Sequence, residues 1–181
     1  MKYSIKIKGM LILSLFVWFT NDIDSQTNFI YGKQFGSDKD GVAFNPGTDK
    51  YGNVYIAGNT KGALAGHYYG KSDGFVSKFD SLGNVIWTKQ FGTGEDDIIN
   101  WLTLDQSGYA YVTGCTNGVF GEKNFGKEDI IVAKFDTMGN IEWQKQYGSD
   151  STDVGNVVYV DNQGNIYPDQ FNKDITFISN A

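Results

Sequence analysis

The sequence predicts an all-β protein of antiparallel four-stranded propeller blades, repeated every 56 residues and forming an incomplete propeller. Three observations carry this. Lys33-Gln34-Phe35-Gly36 returns as Lys89-Gln90-Phe91-Gly92 and as Lys145-Gln146-Tyr147-Gly148, and residues 31–86 match residues 87–142 at 20 of 56 positions. A period of this length marks supersecondary units that bury their apolar faces only against one another. Within a unit, runs rich in Val, Ile, Tyr, Phe and Trp alternate with turn residues, as strands do. The short connections place Asp first and Gly fourth, at Asp49–Gly52, Asp80–Gly83, Asp105–Gly108, Asp136–Gly139 and Asp161–Gly164. Asp accepts backbone N–H bonds in a turn, and these glycines supply the left-handed conformation that closes a hairpin with a bulge.

Taken in order, Lys2, Lys6 and Lys8 ahead of the apolar run Met10 to Phe19 describe a secretory signal peptide over residues 1–25. The run falls short of the roughly 20 residues that a membrane span needs. Ile23 and Ser25 place the expected cleavage before Gln26; an uncleaved anchor is the alternative. The repeat region follows over 26–167: Asn28–Phe35 as the last strand of a first blade, full blades at 36–91 and 92–147, and half of a third. Strands of the second full blade are expected at Ile98–Leu104, Tyr109–Thr116, Ile130–Phe135 and Asn140–Tyr147, with a polar, glycine-rich stretch from Asn117 to Asp129. Tyr167-Pro168-Asp169-Gln170 replaces Tyr55-Ile56-Ala57-Gly58 of the first full unit. Proline lacks the N–H of a central strand, so the ladder is expected to stop there, leaving 168–181 as a degenerate tail. A closed ring typically needs about four to eight blades of four strands. The expectation is therefore truncation of a longer protein, with completion by other chains as the alternative.

Burial is expected to follow position in the blade. Ile130-Ile131-Val132-Ala133 is apolar throughout, as a strand covered on both sides should be. In the outer strand Ile141, Trp143 and Tyr147 alternate with Glu142, Gln144 and Gln146, which assigns them to opposite faces. Trp87 and Trp143 occupy equivalent positions and are read as packing between blades. With the turn glycines Gly52, Gly108, Gly164, Gly83 and Gly139, they are the expected structural residues.

Composition excludes several functions. The chain carries a formal charge of −6 and no arginine, against a nucleic-acid or anionic-lipid surface. The single Cys115 forms no internal disulfide, and as the counterpart of Asn59 it belongs to no repeated site. His67, counterpart of Lys123, reads as a solvated loop residue, because no second histidine completes a metal set or triad. Gly70-Lys71-Ser72-Asp73 lacks the spacing and following helix of a phosphate loop. Asp38, Asp40, Glu95, Asp96, Asp97, Asp150 and Asp153 follow the repeated Phe/Tyr-Gly. They are read as loop acids, with calcium as the alternative, since carboxylates on a short loop suit a hard cation. The regular Asp73/Asp129 and Asp80/Asp136 pairs are expected to orient turns. No catalytic residue and no cofactor other than calcium is expected.

The unit resembles the bacterial beta-propeller repeat known as the SBBP repeat. The resemblance rests on Gly52-Asn53-Val54-Tyr55-Ile56-Ala57-Gly58-Asn59-Thr60, on Gly108 to Thr116, on Asp129 to Asp136 and on Gly139-Asn140-Ile141-Glu142-Trp143. It implies an exported or cell-surface protein, hence secreted, surface-bound or periplasmic, and transfers no catalytic motif. The reading is a non-catalytic binding or interaction scaffold for a protein or glycan ligand, displaying loops such as 61–73 and 117–129. No nucleic acid and no stable membrane insertion is expected, and self-association or further blades would close the ring. The alternatives are a secreted hydrolase-like propeller fragment and a nonfunctional remnant.

Overall fold

The computed structural model describes residues 14–15 and 33–170, so most of the expected signal peptide, most of Asn28–Phe35 and the tail beyond Gln170 lie outside the described residues. Strand β1 (Ser14–Leu15) pairs antiparallel with β2 (Lys33–Gln34). The first four-stranded antiparallel sheet runs β3 (Gly41–Thr48), β4 (Val54–Thr60), β5 (Asp73–Phe79), β6 (Val85–Phe91). The second runs β7 (Asp97–Leu104), β8 (Ala110–Thr116), β9 (Asp129–Phe135), β10 (Ile141–Tyr147), each strand 56 residues after its counterpart. A two-stranded sheet, β11 (Gly155–Val160) and β12 (Ile166–Gln170), follows, and the described sheets do not close into a ring. This is an incomplete propeller.

The blades are held face to face by apolar side chains. Tyr55, Ala57, Val76 and Phe91 of the first sheet meet Ile99, Leu102, Val112, Ile131 and Phe135 of the second in one buried cluster. The next junction repeats the arrangement with Tyr111, Val158, Val160 and Ile166, flanked by Trp101 and Trp143. Phe35 lies on the opposite side of the first sheet, 5.1 Å from Phe79, as its counterpart Phe91 lies 5.2 Å from Phe135. One aromatic of the Lys-Gln-Phe-Gly repeat thus packs on the following sheet in each case. Trp87 reaches across a junction: its indole N–H donates to Thr137 O at 3.1 Å, and its ring meets Tyr55 edge-on at 5.9 Å. Trp143 meets Tyr111 at 6.3 Å and packs on the third sheet's cluster.

All five turns share one construction. Gly52, Gly83, Gly108, Gly139 and Gly164 have φ between 74° and 86°. The Asp carboxylate accepts the N–H groups two and four residues on, for example Met138 and Asn140 at Asp136, both at 2.8 Å. In four of the five the next residue is Asn and donates its side-chain amide to the other oxygen, as Asn53, Asn84, Asn140 and Asn165 do at 2.8 Å. In the fifth, Tyr109 follows Gly108, and Tyr111 Oη donates to Asp105 Oδ2 at 3.2 Å.

Two expectations need correction. A bulge between Ile141 and Trp143 shifts the register, so Ile141 lies opposite Phe135 while Trp143 lies opposite Lys134. Ile141 therefore shares its face with Gln144 and Gln146 rather than with Trp143 and Tyr147, and Gln146 is buried. At the C-terminal end, β12 continues through Pro168 to Gln170, with Pro168 opposite Val158. Among the described residues β12 is an edge strand, and an edge tolerates proline where a central strand does not.

Candidate binding face

An antiparallel sheet of four strands has two unlike ends. Here the tight Asp-x-x-Gly turns gather at one end. At the other stand the long loops 61–72 and 117–128 and the crossings 92–96 and 148–154 between blades. The long loops are the longest connections in each described blade.

Each long loop is anchored by a buried Asp–Gln pair. In the first blade Gln90 Oε1 accepts the N–H groups of Leu64 and Ala65, while its Nε2 donates to Gly62 O at 3.1 Å and to Asp73 Oδ2 at 2.7 Å. Asp73 in turn accepts the N–H of Tyr69 at 2.7 Å and of Gly70 at 3.1 Å. The second blade repeats this with Gln146 bound to Phe120 N, Gly121 N, Gly118 O and Asp129 Oδ2. Asp129 Oδ2 accepts Phe125 N–H at 2.7 Å. Asp73 and Asp129 are fully buried, so these bonds satisfy backbone groups that have no strand partner. Gln34, the third copy of the motif glutamine, is exposed.

The glycine that ends the Lys-Gln-Phe-Gly motif is explained by the same buried carboxylates. A Cβ on Gly92 would lie 2.7 Å from Asp97 Oδ2 and 3.2 Å from Asp73 Oδ1, and one on Gly148 would overlap Asp129 Oδ1. Around Gly36 nothing lies within 4 Å. Adjacent blades are also stitched here by backbone: Asp97 N–H donates to Ser72 O at 2.8 Å and Asp153 N–H to Glu128 O at 2.7 Å.

The acids considered for calcium separate into two kinds. Asp97 and Asp153 are buried; Asp97 accepts from Thr116 Oγ1 at 2.5 Å and Thr93 N at 2.6 Å, and Asp153 from Ser149 N at 2.7 Å and Ser149 Oγ at 2.8 Å. Burial raises the Asp97 pKa, and the neighbouring Asp73 adds to the rise against the opposing hydrogen bonds. Asp38, Asp40 and Asp150 are exposed, Asp96 is half-buried, and Glu95 pairs with Lys71 at 2.6 Å. Among the described residues, no three His, Cys, Asp or Glu side chains converge to hold a metal ion.

Nucleophilic chemistry has no visible apparatus among the described residues. Cys115 is buried, and burial pushes its thiol up to about 12. His67 stands exposed on the first loop with its ring 4.3 Å from that of Tyr69. Sequence reading missed the Asp–Gln anchors, although Gln90 and Gln146 stood in the most visible motif. Their signal was the fixed 17-residue spacing from Asp73 to Gln90 and from Asp129 to Gln146.

Among known families, residues 86–121 match the beta-propeller repeat. The match runs from β6 to just beyond β8, so this chain contains a partial beta-propeller repeat region. No curated protein matches it.

Proposed function

We propose that this chain is a non-catalytic binding scaffold that uses the loop end of its blades, and that it is exported and acts in the periplasm, at the cell surface or outside the cell. The observation that carries the binding reading is the pinning of two equivalent long loops by buried Asp–Gln pairs. A loop fixed before contact loses less conformational freedom on binding, which favours affinity. Surface loops on a rigid scaffold are also where binding residues concentrate. Export rests on the three lysines and apolar run of residues 2–19. No arginine and a negative net charge turn the scaffold away from nucleic acid.

The test replaces residues 63–69 and 119–125 by Gly/Ser linkers of equal length and measures retention of the purified chain on cell-envelope preparations of its source organism. Loss of retention with a folded scaffold is expected, and undiminished retention would overturn the reading. Immunoblotting of envelope, medium and cytosol with an antibody to residues 92–147 tests export; a signal confined to the cytosol would refute it.

A further inference from the structure

We infer that Tyr69 and Phe125 are paired stacking platforms for a neutral polysaccharide, an inference that rests on the loop end being the binding face. The two residues are 56 positions apart and occupy the same place in successive blades. Both rings are exposed, Tyr69 at 48% and Phe125 at 40%. Both are held by the backbone, because each N–H donates to its buried aspartate at 2.7 Å. A large apolar ring is thereby presented to water from a fixed backbone, on two blades in register. Nothing in the fold requires this, since the interior-facing aromatics Phe91 and Phe135 already fill the junction between the blades.

The surroundings select the ligand class. Each ring already carries a polar neighbour from its own loop: the His67 ring meets Tyr69 edge-on at 4.3 Å, and Lys123 Nζ sits over the Phe125 ring 4.6 Å from its centroid, so a sugar stacks on the ring surface these groups leave open. Such a ring with polar neighbours suits the C–H face of a sugar, whose hydroxyls reach the groups beside it. A protein partner normally needs a contiguous buried patch of about 800 Å² on each side; Tyr68 and Val119 are also exposed on these loops, so a protein ligand is the competing outcome of the test below. A polyanionic polymer is disfavoured by the charge of −6 and the absence of arginine. Lys71, the cation beside the first platform, is already paired with Glu95 at 2.6 Å. Two rings at equivalent positions of successive blades suit two units of one sugar chain.

The experiment is affinity electrophoresis of the full chain in gels containing xyloglucan, galactomannan, mixed-linkage β-glucan or dextran. Retardation by at least one polymer is expected. Tyr69→Ala and Phe125→Ala should each weaken it at least about tenfold, the size of losing an anchor side chain. The double variant should lose retardation, and Tyr51→Ala, at the opposite end, should leave it unchanged. A disaccharide of the same polymer should bind far more weakly, because it cannot engage both rings. As a readout independent of the variants, the polymer's oligosaccharides should shift the ring-proton resonances of Tyr69 and Phe125 in the wild-type chain. Absence of retardation on all four polymers, or an unchanged double variant, would overturn the inference. If envelope retention still depends on the loops in that case, the binding-scaffold reading stands and only the ligand class falls.

Discussion

Gln146→Ala tests whether the Asp–Gln pair holds the loop. The side chain is buried at 7% exposure and makes four hydrogen bonds, to Phe120 N, Gly121 N, Gly118 O and Asp129 Oδ2. Three are neutral bonds worth about 1 kcal/mol each, and the bond to a carboxylate about 1.5–3 kcal/mol. Their sum overstates the cost, because bonds to one side chain are not independent and water refills part of the space. The expected loss is about 3–5 kcal/mol, a large fraction of the roughly 5–15 kcal/mol that stabilises a typical domain. Gln34→Ala supplies an internal control, since Gln34 is exposed at the same motif position. Urea unfolding followed by tryptophan fluorescence measures both variants. Hydrogen exchange at the Phe120 and Gly121 amides localises the effect, and these two should lose protection well before the β8 and β9 amides. Equal stability of the two variants would refute the anchoring argument, because the motif glutamine would then carry no load specific to a blade with a long loop.

Other outcomes follow from the same geometry. Gly148→Ala forces a methyl against Asp129 Oδ1 and should cost about 1–3 kcal/mol in urea unfolding, whereas Gly36→Ala, with open space around it, should change stability by no more than about 0.5 kcal/mol. Trp87→Phe removes the indole bond to Thr137 O and should lower stability by about 1 kcal/mol with an unchanged urea m-value. Acid titration should unfold the chain as pH falls below about 3.8. The backbone and side-chain amides of Asn84 hold Asp80 below that value, as the side-chain amide of Asn165 does for Asp161. At Asp49 and Asp136 partial burial opposes this and is outweighed by the bonds from Asn53 and Asn140. A depressed folded pKa gives stability that is present above the unfolded value and lost as pH falls through the folded one. Asp97 acts with the opposite sign: its raised pKa adds stability as pH falls toward 3.8, so Asp97→Asn, which fixes the neutral form, should remove this compensating rise and steepen the loss of stability between pH 7 and 3.8. Circular dichroism between pH 7 and 2 checks both signs.

The strands were legible because propensity, turn chemistry and the 56-residue period all gave the same boundaries. β7, expected from Ile98, begins at Asp97, and β10, expected from Asn140, begins at Ile141. Face assignment failed in β10 because one bulge is invisible to a period-2 count and moves every later residue to the other face. The Asn closing four of the five turns was also on view, yet its role depends on a side-chain amide reaching the second carboxylate oxygen, which spacing alone does not reveal. The acids were harder. Asp96 and Asp97 are adjacent in sequence, but one is half-buried and the other fully buried among Thr93 and Thr116.

The two ends of the blade therefore answer different demands of the same polymer physics. At the turn end five residues close on themselves: the carboxylate takes two N–H groups, in four of the five turns an asparagine takes the remaining oxygen, and little is left to meet a ligand. At the loop end twelve residues between β4 and β5 need their backbone groups satisfied without a neighbouring strand. The chain meets this with one buried Asp and one buried Gln per blade, both from within or at the edge of the sheet. With those two residues holding much of the loop backbone, the side chains at 67–69 and 123–125 are partly turned outward, although Tyr68 still bonds Lys71 O and Asn124 still bonds Asn117 O and Gly118 O. They differ between blades, His-Tyr-Tyr in one and Lys-Asn-Phe in the other, while the aspartate and glutamine beneath them stay the same. A fixed base under variable outward residues separates stability from recognition. The aromatic at the third of these positions, present in both blades and bonded through its own N–H to the base, is where the two meet.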